Sequence, residues 1–194
     1  MTAKEQLLVF LQSTGSIKAA QAEEIAGCFA YRTLGRHELL LRAGQVSDDY
    51  LLLTSGLLRA FAYDPAGRDV TTGFFGAGQV AFEVASFFNR RPAQENIQAL
   101  TDCAGWGLTH GQLNALFHGR PEFREFGRAV LVRGFATLKE RMLEMITTPA
   151  AGRYERLLTT HPDIVRHAPL KDVASFLGIT DTSLSRIRKA GGKK

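Results

Sequence analysis

Short apolar runs, each closed by Gly or Asp, fill the first half of the sequence and limit the folds that it can adopt. They are HELLLRAG, DYLLLTSG, LLRAFAYDPAG, RDVTTGFF, NIQALTD and AGWGLTHG. A spacing of about 8 to 15 residues between such runs is typical of an antiparallel sandwich or barrel. The segment from Asp64 to Gly67 has the proline and glycine that a tight turn requires. The pattern therefore predicts a β-roll of the jelly-roll type over about residues 36–109.

Helical periodicity flanks the roll on both sides. Apolar residues three and four positions apart predict helices within residues 4–31, and a long helix follows the roll in PEFREFGRAVLVRGFATLKERMLEMITT. Five apolar residues at 4-3-4-3 spacing form what we call the apolar stripe of this helix: Leu131, Phe135, Leu138, Met142 and Met145. Such a stripe packs either on its own domain or on a second copy across a two-fold axis. Pro149 then ends or bends the helix.

These elements together predict an α+β fold. It comprises N-terminal helices with an antiparallel β-roll, a long dimerisation helix and a C-terminal helical domain. The predicted divisions are residues 1–117, 118–147 and 148–194.

Composition excludes several classes of protein. Apolar residues make up 45% of the 194 residues, as in globular proteins with a core. The sequence has no apolar run long enough to span a membrane, and MTAKEQLLVFLQS does not resemble a signal peptide, so we expect a cytoplasmic protein without a membrane partner. Cys28 and Cys103 lack the spacing of a metal or redox motif.

Positive charge is confined to the end of the chain. Residues 1–148 contain 15 Lys or Arg and 15 Asp or Glu, whereas residues 149–194 contain 9 and 4. The whole net charge of +5 therefore lies in the last segment. Such a segment is either a solvated basic end or a surface for a polyanion such as nucleic acid.

The basic segment also contains a two-helix pattern, LKDVASFLGITDTSLSRIRK, at residues 170–189. Ala174 is small where two helices must approach each other, and Gly178 suits a turn with positive φ. Thr180 suits the N-cap of a second helix. An apolar face would join the two helices through Val173, Leu177, Ile179, Leu184 and Ile187. The pattern predicts a helix-turn-helix with its second helix exposed, although two-helix hairpins with a Gly turn are also common in other proteins.

The second helix carries side chains that suit base edges and phosphates in double-stranded DNA. Arg186 is the best candidate for a base contact, because a guanidinium can make two hydrogen bonds to guanine. Its predicted neighbours at the bases are Asp181, Thr182 and Ser185. The predicted phosphate contacts are Lys171, Thr180, Ser183, Arg188 and Lys189.

With roll, long helix and helix-turn-helix in this order, the chain resembles the Crp/Fnr family of transcription regulators over nearly its whole length. The resemblance includes the strands in LLLTSGLLRAFAYDPAGRD, the segment after Gly78 and LGITDTSLSRIRK. It implies a homodimer joined along residues 121–147 that places two recognition helices on a palindromic DNA site, and RNA polymerase as a further partner. It also implies a β-wing after the recognition helix, which AGGKK does not supply, so we expect Lys193 and Lys194 to make the phosphate contacts there.

The predicted effector region departs from the nucleotide-binding members of the family. Those members carry a Glu for the ribose and, about ten residues later, an Arg and a Ser or Thr for the cyclic phosphate. Glu83 stands at the acidic position, but Ala93 and Gln94 replace the phosphate ligands. A buried phosphate without a cation is costly, so cyclic nucleotide binding is not expected, and no cofactor is predicted.

Other roles for the same region remain open at this point. Arg90 and Arg91 come too early for the phosphate position and are expected to be solvated, although a shifted loop could bring one in. Phe82, Val84, Phe87 and Phe88 suit either the filling of the roll or a pocket for an uncharged effector, with filling favoured. Glu83 could also cap a short helix that begins at Val84.

Two other classes of function compete with a DNA-binding regulator. A roll of this size also occurs in cupin-like enzymes, which need clustered His and Glu ligands, but His37 and His110 lie at the two ends of the roll and form no HxH pair. We therefore do not expect an enzyme. The second alternative is a sensor or interaction module that binds a small molecule or protein partner without specific DNA binding.

Overall fold

The computed structural model describes residues 1–191, so Lys193 and Lys194 lie outside the described residues. The elements in chain order are α1 (Ala3–Gln12), α2 (Ala19–Ala26), β1 (Ala30–Leu34), β2 (Leu39–Leu41), β3 (Asp49–Ser55), β4 (Leu58–Tyr63), β5 (Asp69–Phe75), β6 (Val80–Ala81), α3 (Val84–Asn89), β7 (Asn96–Ala99), β8 (Cys103–Thr109), α4 (His110–Gly119), α5 (Pro121–Thr147), α6 (Ala150–Thr160), α7 (Pro162–His167), α8 (Leu170–Phe176) and α9 (Asp181–Gly191).

Two four-stranded antiparallel sheets form the roll. The strand order is β1-β8-β3-β6 in one sheet and β2-β7-β4-β5 in the other. The chain crosses between the sheets from β3 to β4 through Gly56, which has φ 89°. A Cβ at Gly56 would collide with Asp102 and Cys103, so only glycine fits this crossing. The predicted fold class, N-terminal helices with an antiparallel jelly-roll, is confirmed.

The turn between β4 and β5 has the chemistry that its sequence predicts. The backbone N–H of Gly67 donates to the carbonyl of Asp64 over 2.8 Å, and Gly67 has φ 75°. The Asp64 carboxylate accepts the N–H groups of Ala66 and Arg68, each over 2.9 Å. These bonds fix the β4–β5 hairpin, in which β5 is the edge strand of its sheet.

Two cores stabilise the roll. One lies between the sheets and includes Leu53, Leu58 and Ile97, all at most 1% exposed. The other joins the roll to α1, α2, α4 and the beginning of α5, where Phe123 and Phe126 are 1% exposed. The long helix is therefore fixed to the roll at its N-terminal end.

The C-terminal helices share a third core with the roll. Its roll residues are Leu57, Phe74 and Leu100, and its helical residues are Tyr154, Leu157, Ile164, Val173, Ala174, Leu177 and Leu184. The four helices α6 to α9 thus pack against the roll as well as against one another. The long helix that precedes them begins at Pro121, within the predicted segment 118–147, and ends at Thr147.

The connection from α5 to α6 is a short bend. Thr148 is extended, with φ −107° and ψ 129°, and Pro149 begins the next helix. The Arg153 guanidinium donates to the carbonyl of Thr148 over 2.5 Å and to that of Leu177 over 2.7 Å. This side chain ties the bend to the end of α8. In the part of the chain that the structure describes, every helix is too short or too polar to cross a membrane.

Candidate nucleic-acid interface and effector region

Helices α8 and α9 form a two-helix unit with a tight turn between them. Gly178 has φ 67°, and the N–H of Ile179 donates to the carbonyl of Ala174 over 3.0 Å. The Thr180 hydroxyl accepts the N–H of Ser183 over 3.2 Å and so caps α9. Ala174 is fully buried between the helices. Each small or capping residue therefore lies where the turn geometry requires it.

The inner faces of α8 and α9 are apolar. Val173 is 1% exposed, Leu177 is 4% exposed and Leu184 is fully buried, while Ile179 and Ile187 pack against the same core. The pair therefore has one orientation relative to the rest of the C-terminal core.

The outer face of this pair carries the predicted DNA contacts. The exposed members are Lys171, Thr180, Asp181, Thr182, Arg186, Arg188 and Lys189, and the half-buried members are Ser183 and Ser185. Within residues 1–191, the basic side chains of this set form no ion pair with an acidic side chain. The Thr180 hydroxyl is already engaged in capping and lies 3.0 Å from that of Ser183. A surface with uncommitted cations and short hydroxyl side chains suits a polyanion.

A charged cluster attaches α8 to the roll. The Arg59 guanidinium of β4 donates to the Thr71 hydroxyl over 2.8 Å and forms an ion pair with Asp69. It also lies 3.4 Å from the carboxylate of Asp172 on α8. The N–H of Thr71 donates to the Ser175 hydroxyl over 2.9 Å. We call these five residues the roll–helix clamp.

Arg141 of the long helix joins the same interface. Its guanidinium donates to the carbonyl of Thr72 on β5 and, over 3.4 Å, to that of Phe176 on α8. It lies 3.9 Å from the centre of the Phe176 ring, which packs edge-on to Phe74. Burial lowers the pKa of Arg141, and the negative charge of Glu95 opposes this shift. One cation thus contacts the roll and α8 from α5.

The apolar stripe of α5 is largely exposed in the protomer. Phe135 is 72% exposed and Leu138 is 63% exposed, and Leu131 and Met142 are also exposed. Met145 differs from the others because its terminal methyl reaches the turn at Gly178. The last residue of the stripe therefore contacts the turn between α8 and α9 of its own chain.

The predicted effector region contains a capped helix in place of an open acidic site. The Glu83 carboxylate accepts the N–H of Ser86 over 2.6 Å and that of Ala85 over 3.2 Å, and so caps α3. Gly78 precedes it with φ 82°. Of the two alternatives for Glu83, the structure contains the cap.

At the predicted position of the phosphate-binding arginine, Ala93 is buried and its backbone is hydrogen-bonded. Ala93 is 4% exposed, its N–H donates to Gln45 and its carbonyl accepts from Gly44, each over 2.8 Å. Gln94 is exposed. A buried methyl group therefore occupies the point where a guanidinium would be needed.

Arg90 is exposed, as expected, with 39% of its side chain accessible, but it is also hydrogen-bonded within its own loop. This residue ends α3 in the left-handed conformation, with φ 52°, which turns its side chain back. The guanidinium donates to the Ser47 carbonyl over 2.7 Å and to the Asp48 carboxylate over 2.9 Å. Arg91 is exposed, as expected. Arg90 is therefore committed to its own loop.

Aromatic side chains fill most of the space behind α3. Phe87 is fully buried, and its ring lies 5.4 Å from Phe82, 5.3 Å from Phe88 and 5.2 Å from His110. Phe88 and Val84 are partly exposed, at 37% and 52%.

The cleft beside these rings is small. It is lined by Phe82, Leu40, Leu41, Ile97 and residues 45–49, and its volume is about 100 Å³. Ligand pockets usually measure about 300–1,000 Å³. The geometry therefore favours filling over an effector pocket.

Comparison with known proteins supports this description. Residues 31–120 match the family model described as cyclic nucleotide-binding domain. A search of curated proteins finds no match.

Solved structures share the fold over most of the chain. The c-di-GMP responsive global regulator CLP of Xanthomonas campestris has 16% identity and a TM-score of 0.69, with 91% of this chain and 92% of that chain covered. A transcriptional regulator of the Crp/Fnr family from Eubacterium rectale has 13% identity and a TM-score of 0.69, with 93% and 86% covered. The catabolite activator protein of Thermus thermophilus has 18% identity and a TM-score of 0.56, with 91% and 84% covered. At these identities the likeness establishes the fold.

Sequence reasoning missed the roll–helix clamp and Arg141. Arg59 lies in the apolar strand LLRAFAY, and a cation within such a strand is a signal that it needs a buried partner. Asp172 was passed over in favour of the neighbouring Lys171. The pairing itself joins residues far apart in sequence, so no local pattern predicts it.

The clamp makes stability depend on pH through Asp172. Burial raises the pKa of its carboxyl, and the charges of Asp69 and Asp181 raise it further, whereas Arg59 and Lys171 lower it. A raised pKa in the folded state means that the folded chain binds the proton more tightly than the unfolded chain. Binding of this proton therefore stabilises the folded chain fully at pH values below the pKa that Asp172 has in the unfolded chain. The stabilisation is lost as the pH rises through the pKa that Asp172 has in the folded chain.

We therefore expect wild type to gain stability relative to Asp172→Asn as the pH falls from neutral towards about 4. Thermal unfolding of both proteins across this range measures the difference in Tm. Asp163→Asn, an exposed carboxylate on α7, is the control and should show no such trend against wild type. A difference between wild type and Asp172→Asn that is constant, or that changes in the opposite direction, would contradict the assignment.

Proposed function

We propose that this protein is a sequence-specific DNA-binding transcription regulator of the Crp/Fnr type that acts as a homodimer on a palindromic site. The observation that carries the proposal is the capped helix α9, which presents Arg186, Arg188 and Lys189 to solvent without an ion-pair partner in the described residues. Uncommitted cations gain affinity for DNA by displacing counterions from phosphates. The fold shared with regulators supports the same function.

In this proposal α9 enters the major groove and the residues near its beginning meet the bases. Arg186 reads a base edge, and Asp181, Thr182 and Ser185 lie beside it on the exposed or half-buried side. Lys171, Arg188 and Lys189 contact phosphates on either side, with Ser183 and Thr180 near the helix start. RNA polymerase stays a predicted partner.

The exposed part of the apolar stripe supports dimerisation. Phe135 and Leu138 expose most of their side chains on a helix whose N-terminal end is fixed in the roll. Large apolar side chains in a row at this spacing are stabilised when a second helix covers them. A dimer would place two copies of α9 on one DNA site.

A cyclic nucleotide is not part of the proposal. Ala93 is buried where a cation would be required, and the cleft beside Phe82 has a volume of only about 100 Å³. We propose that the roll is a structural descendant of a nucleotide-binding roll that no longer binds cyclic AMP.

Selection from random-sequence DNA with the purified protein should enrich a palindrome. Arg186→Ala should then cost about 1–3 kcal/mol at one base position and relax the preference there. Lys189→Ala, a predicted phosphate contact, is the matched control, because it should weaken binding to all sequences by a similar factor. Binding without sequence preference would favour an interaction module over a regulator, and an unchanged preference in Arg186→Ala would exclude Arg186 as the base contact.

Leu138→Glu should separate the dimer. Burial of a leucine contributes about 1.5–3 kcal/mol, and a two-fold interface contains the residue twice. We expect a dimer dissociation constant at least about a hundredfold higher, measured by sedimentation equilibrium. Lys139→Glu introduces the same residue next to the stripe and should leave the dimer intact. If the two variants behave alike, the apolar stripe is not the interface.

Cyclic AMP should leave the unfolding temperature unchanged. A ligand held only by the folded state raises Tm, and the increase grows with the logarithm of ligand concentration above the dissociation constant, so a thermal titration detects binding directly. Cyclic di-GMP belongs in the same titration, because the CLP regulator is described as responsive to it. An increase in Tm with cyclic AMP that Arg90→Ala abolishes would show that Arg90 has replaced the missing phosphate ligand.

A further inference from the structure

Besides the shared apolar core and the Arg141 contacts, two further attachments hold the proposed helix-turn-helix in place. One is the bend at Thr148 and Pro149, which joins α6 to the long helix. The other is the roll–helix clamp, where α8 lies on β5 of the roll. Since α9 packs on α8 through the buried Leu184, the position of α8 determines the position of α9.

The clamp is buried and charged. Arg59 and Asp172 are each 4% exposed, and the guanidinium of Arg59 also lies 4.6 Å from the centre of the Phe61 ring. Asp69 supplies a second carboxylate to the same guanidinium. One cation therefore neutralises carboxylates from the roll and from α8, and loss of this cation would leave two negative charges facing each other.

The two attachments link the roll, α5 and the C-terminal helices in a closed ring of contacts. The roll is fixed to the beginning of α5 through Phe123 and Phe126. The end of α5 leads through the bend to α6, and α8 returns to the roll through the clamp. Without the clamp, only the apolar core and Arg141 would oppose rotation of the helix pair about the bend, whereas the buried charges of the clamp fix one position of the pair relative to α5.

We propose that the roll–helix clamp sets the spacing at which the two recognition helices of the dimer meet DNA, with Arg59 and Asp172 as positioning residues. This inference rests on the proposed function. Two half-sites read by such a dimer lie about 34–36 Å apart, which corresponds to about 10–10.5 base pairs. A rigid attachment makes binding sensitive to this spacing, and a loose one lets each helix follow its own half-site.

A role confined to the roll is the competing explanation, because Arg59 also bonds Thr71 and Asp69 on the adjacent strand. A second substitution in the other partner separates the two. Arg59→Met leaves Asp69 and Asp172 without their cation, so repulsion should detach α8. Adding Asp172→Asn removes that repulsion from the α8 side and should restore attachment only if Arg59 acts through Asp172.

The experiment compares four proteins on four duplexes. The proteins are wild type, Arg59→Met, Arg59→Met with Asp172→Asn, and Arg32→Met, a roll arginine on β1 that is paired with Asp49 on β3, outside the clamp. The duplexes carry the selected palindrome, the palindrome with its spacer changed by one or by two base pairs, and a single half-site.

We expect wild type and Arg32→Met to prefer one spacing clearly. For Arg59→Met the three palindromes should bind within about twofold of one another, the usual tolerance of such comparisons, while half-site affinity stays at the wild-type level. The double variant should recover the preference. An unchanged spacing profile in Arg59→Met, or a flattened profile that the second substitution does not restore, would overturn the inference.

Amide hydrogen exchange measures the attachment of α8 to the roll in the absence of DNA. The Thr71 amide donates to Ser175 and should exchange faster in Arg59→Met and at the wild-type rate in the double variant. A wild-type protein that binds no half-site would refute the proposed function, and the Thr71 amide would still report whether Arg59 holds α8 on the roll. Unchanged exchange in Arg59→Met would overturn the inference independently of DNA binding.

Discussion

The buried guanidinium of Arg59 is the interaction on which the arrangement of this chain depends. A charge at 4% exposure is tolerated only when opposite charges and hydrogen-bond acceptors surround it. Here the partners come from two parts of the chain: Asp69 and Thr71 on the roll accept hydrogen bonds, and Asp172 on α8 supplies a further negative charge. The electrostatic requirement of one residue therefore couples the C-terminal helices to the roll, and the shared apolar core around Leu57 and Phe74 strengthens the same contact.

The long helix α5 connects this contact to the rest of the molecule. Its first turns are buried in the core of the roll, and Arg141 near its end touches both β5 and α8. Met145 reaches the turn at Gly178, so the same helix that carries the exposed Phe135 and Leu138 also supports the turn before α9. Exposed apolar residues and residues that contact α8 and its turn thus lie on one helix. A displacement of α5 would therefore move both sets of residues.

Local patterns predicted the elements well, because turns and caps have local chemical signatures. Gly67 and Gly178 lie at positive φ where the sequence predicts turns, and Thr180 caps α9. The clamp could not be predicted in this way, since Arg59 and Asp172 meet only after the roll and the helices have formed. Arg90 comes too early in the sequence for the phosphate position and was expected to be solvated, but no local pattern predicts its backbone conformation. Its left-handed backbone turns the guanidinium onto Ser47.

The hydrogen bonds of Arg90 bear on what the loop after α3 can bind. For a phosphate to recruit that guanidinium, the hydrogen bonds to Ser47 and Asp48 must break, and Ala93 offers no cation in compensation. The effector region of the roll is therefore stabilised by its own side chains. The interface between roll and α8 differs, since the carboxylates of Asp69 and Asp172 share one cation there. A change in charge at that interface would therefore act on the attachment of α8 itself.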